Sequence, residues 1–262
     1  MKISKLAIIG GGNLGKSIAE GLVSSGLIAS PSLFVTRRNL DPLQLLSRQG
    51  VSISTDNLAA AKEAKIILLC VKPWQVQAVI EEISAAITSQ TLLVSCASGV
   101  GLSDIEGFCT AGTKVFRAMP NTAISVKESM TCIRTNVTDE ESVNSVQSVF
   151  DALGTSLFIN EELMDAATVL AACGIAYCLR FMRAASQGGI EIGFSSDVAQ
   201  TIAAQTAKGA ASLILANSSH PESEIDKVTT PKGCTIAGLN EMEHQGFSSA
   251  LIKGIKTSFD KI

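Results

Sequence analysis

Aromatic residues are scarce in this chain, at 4% of 262 residues, with one tryptophan, Trp74, and one tyrosine, Tyr177. Platforms on which bases or sugar rings stack have almost no material here. Histidine is scarcer still, at two residues, His220 and His244. A histidine-based metal site or a Ser-His-Asp triad has almost no material to work with, and no metal is expected. Charged residues make up only 17% and the net charge is −3, which provides neither a basic surface for nucleic acid nor an acidic tail. The seven cysteines include no Cys-x-x-Cys pair and read as free thiols of a reducing compartment. The apolar start "KLAIIG" is too short for a secretion signal or a membrane span. The expectation is a cytoplasmic protein that handles a small molecule, with no nucleic-acid or membrane partner.

What the chain does have is apolar residues, at 46%, in two distinct patterns. Up to about residue 160, short continuous apolar runs alternate with helical spacing: "LAIIGG", "SLFVTR", "KIILLCV", "TLLVSCA" and "TKVFRAM" are separated by segments such as "NLGKSIAEGLVSSG". Strands buried on both faces between helices imply a parallel sheet. A last β-like pair, at 129–134 and 155–160, brackets a helix at 139–152. Beyond Asn160 the spacing is helical throughout and many helix faces are apolar all round. The expected architecture is therefore α/β: a Rossmann-like, doubly wound domain over 1–160, then an all-α domain over 161–262. The second domain has too much apolar surface to cover by itself, which implies oligomerisation.

The first strand runs into "GGGNLG", a G-x-G-x-x-G fingerprint formed by Gly10, Gly12 and Gly15, with Asn13 and Leu14 inside it. Strand, glycine turn and amphipathic helix are the context a dinucleotide site needs. Gly10 would make the tight turn, Gly12 would admit a pyrophosphate, and Gly15 would let helix and strand pack closely. NAD sites usually carry an acidic residue at the end of the second strand; here the strand ends in Thr36, Arg37 and Arg38. A hydroxyl and two guanidinium groups suit a 2′-phosphate, so NADP (NADPH) is expected, with NAD as the alternative. Later strands end in "CVKPWQ" and "RAMPNT", which puts Val71, Lys72, Pro73, Met119, Pro120 and Asn121 at the carboxyl edge of the sheet. Ligands of open α/β sheets bind at that edge, although the prolines also serve as simple strand terminators.

Near the C-terminus, "VTTPKGCTIAGLNEMEHQGF" crowds hydroxyls before a helical segment. Taken with the glycine fingerprint, "VKPWQ" and "RAMPNT" in this order, the chain resembles the pyrroline-5-carboxylate reductase family over essentially its full length. That resemblance implies reduction of the cyclic imine 1-pyrroline-5-carboxylate to L-proline by NAD(P)H, and a homodimer or a larger ring of dimers. It also implies that Asn57 lies near the adenosine ribose, that Met119, Pro120 and Asn121 line the nicotinamide, and that Thr230, Gly233, Cys234 and Thr235 hold the substrate. Thr235 would hydrogen-bond the reacting ring nitrogen. The chain departs from the family pattern at "AACGIAY" (171–177), which lacks two serines and a proline, and at Lys232, which replaces a usual glycine. A diverged paralogue without this activity, or a related imine or β-hydroxyacid reductase, is the alternative. A hydroxyacid reductase would carry a lysine in the stretch "AATVLAACGIAY", which has none.

Overall fold

A computed structural model describes residues 3–262. Eight strands form one sheet in the order β3-β2-β1-β4-β5-β6-β7-β8. They are β1 (Leu6–Ile9), β2 (Leu33–Thr36), β3 (Ser52–Ser54), β4 (Ile66–Leu69), β5 (Leu92–Ser95), β6 (Lys114–Met119), β7 (Ser129–Thr135) and β8 (Gly154–Phe158). The apolar runs became the central strands because both faces are covered: β1, β4 and β5 are buried along their whole length. Helices α1 (Asn13–Ser25), α2 (Gln44–Arg48), α3 (Asn57–Glu63), α4 (Val76–Ile83), α5 (Leu102–Phe108) and α6 (Glu140–Asp151) connect them. Two apolar layers result, one around Ile8, Ile18 and Phe116 and the other around Ile67, Ile80 and Leu93.

Neighbouring strands from β3 to β6 are parallel, whereas β7 runs antiparallel to β6. The link from Met119 to Ser129 is only a 3-10 turn (Thr122–Val126), too short for a helical crossover, so the chain must reverse direction. A helix then separates β7 from β8, and that pair is parallel again.

One compact unit ends at Cys173 and the other runs Gly174–Lys261. The first therefore continues past the boundary expected near Asn160, for a physical reason. Helix α7 (Met164–Ala167) and the π-helical turn Thr168–Cys173 bring Met164 into a small apolar cluster with Met119 and Cys132. Arg117, only 3% exposed on β6, donates to Glu161 Oε1 at 2.7 Å and Asp165 Oδ1 at 3.2 Å. Removing a buried cation strands both carboxylates, which are themselves partly hydrated. Arg117→Ala should lower the unfolding free energy by about 2 kcal/mol, read as a fall in the urea midpoint; an unchanged midpoint would show that the network is energetically neutral.

The second unit comprises α8 (Gly174–Glu191), α9 (Ser196–Asn217), α10 (Pro221–Val228), α11 (Cys234–His244) and α12 (Phe247–Phe259). Phe181 meets Phe247 edge-on with ring centroids 6.4 Å apart, and the Tyr177 hydroxyl donates to Ser258 Oγ at 2.6 Å. Among its described residues only Ser186 and Ala199 are buried, while Leu179, Ile192 and Leu215 are 58%, 78% and 81% exposed. Apolar surface on this scale marks a protein interface. The helical run Glu161–Glu191 is long and apolar enough to cross a membrane by length and composition, but Arg180 and Arg183 lie within it, where bilayer insertion is unfavourable.

Candidate active site

The strand order reverses direction of growth between β1 and β4, and a cleft of about 1200 Å³ opens there. This is the topological switch point of a doubly wound sheet, where ligands bind. Its floor is the glycine turn. Gly10 and Gly11 N–H groups donate to the carbonyl of Thr36, at 3.2 and 2.7 Å, which pins the turn against β2. Gly10 has φ +105°, and a Cβ there would lie 2.5 Å from the Cys70 carbonyl oxygen; only glycine fits. At Gly15 a Cβ would overlap the Gly10 carbonyl, so this glycine permits close packing of α1 on the turn and does not line the cleft.

Gly12 differs from both. Nothing lies within 4 Å of a Cβ built on it, so the fold does not require glycine there; the open space belongs to the cleft. Gly12 is also the N-cap of α1, with no side-chain cap and no acidic residue in the first turn. Backbone N–H groups at such an end lack intrahelical partners and, with the helix dipole, favour an anion. A dinucleotide pyrophosphate fits this cradle.

Around it the structure brings together Gly10, Gly12, Asn13, Leu14, Thr36, Arg37, Arg38, Asn57, Val71, Lys72 and Pro73, all lining one cleft. Arg37 is partly committed, since its Nη1 donates to the Gly11 carbonyl at 2.9 Å and braces the turn. Arg38 is exposed at the rim. Met119, Pro120 and Asn121 do not line the cleft: all three are buried. Asn121 is spent on structure, its Oδ1 accepting from Ala123 N at 3.0 Å and its Nδ2 donating to the Ala171 carbonyl at 3.1 Å.

The cleft wall also includes Cys96, Ala97 and Ser98 after β5, and Thr122 and Ser125 after β6. The first three follow a strand just as Lys72 does, so the carboxyl-edge rule extends to them. Cys70 also lines the cleft, and its thiol is held well above the ordinary range by its contact with Cys96 and by burial. That direction disfavours the thiolate, the form in which a cysteine acts as a nucleophile.

The hydroxyl-rich loop lies in the second unit. Gly233 is the N-cap of α11, which has no side-chain cap and no acidic first-turn residue. Gly233 N–H donates to the Thr230 carbonyl at 2.9 Å, closing a tight turn in which Lys232 adopts φ +58°. A glycine would hold that backbone without strain. Thr235 is the second helical residue, not the cap, and is exposed, as are Thr230 and Cys234. A hydroxyl beside uncapped N–H groups is a second anion-accepting helix end.

Comparison with known proteins accords with both halves. The family model for pyrroline-5-carboxylate reductase dimerisation matches residues 161–262, and one described as NADP oxidoreductase, coenzyme F420-dependent, matches 5–99. Pyrroline-5-carboxylate reductase 2 of Dictyostelium discoideum is 44% identical, with 98% of this chain and 91% of that protein covered. The chain belongs to the pyrroline-5-carboxylate reductase family. Reductase 1 of the same organism is 47% identical over 98% of this chain, which spans only about half (49%) of that relative's length. A solved family member from Coxiella burnetii superimposes with a TM-score of 0.91 at 29% identity, over 99% of this chain and 97% of that one. The Plasmodium falciparum structure, solved with NADP bound, has the same fold at a TM-score of 0.88 and 24% identity, covering 100% of this chain and 97% of its own. The dimerisation model covers the helices of the second unit whose apolar side chains are exposed, which supports oligomerisation through them.

Proposed function

We propose that this chain reduces 1-pyrroline-5-carboxylate to L-proline, with NADPH or NADH held in the first unit's cleft and the imine held by the loop before α11. The observation that carries this reading is the near full-length match to reductases of this family, supported by an uncapped helix end beside the open Gly12. The nicotinamide, when bound, supplies the hydride.

The protein's own part is to bind, orient and hold a proton in place. The substrate carboxylate docks on the N–H groups that begin α11, and Thr235 donates to the ring nitrogen. That nitrogen ends protonated, its proton drawn from solvent water and passed along the Thr235 hydroxyl, as the imine carbon accepts hydride, so C=N becomes CH–NH. No strong acid is needed, and acceleration comes from positioning and local electrostatics. Thr230, Gly233 and Cys234 shape the loop around the ring. The enzyme works in the cytoplasm as a homodimer or a larger assembly of dimers, with neither nucleic acid nor membrane as partner.

Expression in a bacterial strain that requires proline because it lacks its own reductase tests the function. Growth without proline is expected, and continued dependence with the protein folded and present would count against the reading.

Arg38 and Arg37 should separate by role. Arg38→Ala should weaken NADP⁺ by roughly tenfold and leave NAD⁺ nearly unchanged, since one charge-assisted contact to the 2′-phosphate is worth about 1.5–3 kcal/mol. Arg37→Ala should weaken both nucleotides, because Arg37 also braces the Gly11 carbonyl. Calorimetric titration with the two nucleotides checks this, and equal losses in the Arg38 variant would remove the phosphate assignment.

A further inference from the structure

At the end of β2, three polar side chains form a directed chain. Thr36 Oγ1 donates to Asn57 Oδ1 at 2.6 Å, and Asn57 Nδ2 donates to Glu82 Oε2 at 2.9 Å. All three residues line the cleft, and Glu82 is its one carboxylate among the described residues, facing the cations Arg37, Arg38 and Lys72 in the same lining. The strand itself ends without an acid; α4 delivers one from a distant part of the sequence.

The chemistry of the chain fixes its direction. An ionised carboxylate only accepts hydrogen bonds, so the Asn57 amide must turn its NH₂ to Glu82 and its oxygen to Thr36. The Thr36 hydroxyl hydrogen is thereby committed to Asn57. Toward a ligand, the exposed Glu82 carboxylate then offers acceptors and a negative charge, while the nearly buried Thr36 anchors the other end of the chain. A ribose 2′-hydroxyl can donate to such a wall, whereas a 2′-phosphate has only acceptor oxygens and carries negative charge.

We propose that Glu82 is a specificity-determining residue for the nucleotide. It positions Asn57 and disfavours the 2′-phosphate, so that the balance between NADPH and NADH is set by Arg38 against Glu82. This rests on the cofactor reading given under Proposed function.

The test is the pair of dissociation constants for NADP⁺ and NAD⁺, measured by calorimetry on the full-length protein. Glu82→Gln is nearly isosteric and lies on an exposed helix face, so folding is preserved. The ratio of the NAD⁺ constant to the NADP⁺ constant should rise about three- to tenfold, as expected for loss of one partly hydrated like charge. The rise should shrink in about 0.5 M salt, because screening removes the repulsion that the substitution relieves. Glu82→Asp, which keeps the charge, should stay close to the wild-type ratio. A packing role would not change the ratio with salt. An unchanged ratio in Glu82→Gln, or equal weakening of both nucleotides at every salt concentration, overturns the inference while leaving the cofactor site intact. Failure of the wild type to bind either nucleotide overturns the cofactor reading and this inference with it.

Discussion

Gly12→Val should abolish useful nucleotide binding while leaving the protein folded. Gly12 has φ −72° and ψ −163°, an extended conformation open to any residue, and its Cβ direction is empty. A branched side chain there would stand between a pyrophosphate and the first-turn N–H groups of α1. Loss of two charge-assisted hydrogen bonds, at about 1.5–3 kcal/mol each, predicts a drop in NADPH affinity of at least about a hundredfold. Gly10→Ala is the contrasting case. Its backbone is left-handed and its Cβ would press on the Cys70 carbonyl, so the expected loss is of stability, by about 2 kcal/mol or more. Titration with NADPH beside thermal unfolding separates the two effects. Strong binding by a folded Gly12→Val protein would move the pyrophosphate elsewhere.

The second large effect concerns turnover. Thr235→Ala should lower the rate of imine reduction roughly tenfold to a hundredfold, about 1.5–3 kcal/mol of transition-state stabilisation, with NADPH affinity nearly unchanged. Its hydroxyl is free for this role: Gly233, not Thr235, caps α11, and Thr235 donates no side-chain hydrogen bond among the described residues. Thr235→Ser keeps the hydroxyl and should retain most activity, which separates hydrogen bonding from packing. Steady-state kinetics of the three proteins decide it; an Ala variant as fast as wild type would leave the loop with only its backbone N–H groups to hold the substrate.

Much of this arrangement is legible in the residues, and the misses have physical causes. Continuous apolar runs such as Ile66–Leu69 read as strands because a parallel sheet buries both faces. The edge strand β3, Ser-Ile-Ser, has one apolar residue in three and carries no such signal. The reversal of β7 depends on the length of one turn, which periodicity does not report. Glycine spacing located the cradle, and strand ends located Lys72, because both are local features of sequence. Glu82 is different: it reaches the cleft only because α4 packs beside α3, and a helix-face glutamate ordinarily reads as solvated charge. Met119, Pro120 and Asn121 sit at a strand end, as cleft residues do, but the antiparallel return and the turn Thr168–Cys173 enclose them. That enclosure is a tertiary event. It also explains why the first unit keeps residues 161–173.

The central claim is the reaction itself, and the most direct measurement is NADPH consumption by the purified protein given 1-pyrroline-5-carboxylate, with L-proline quantified in the same sample. Saturable oxidation of NADPH, with one proline formed for each NADPH consumed, is the predicted result. A protein that binds NADPH yet forms no proline with either nicotinamide would contradict it.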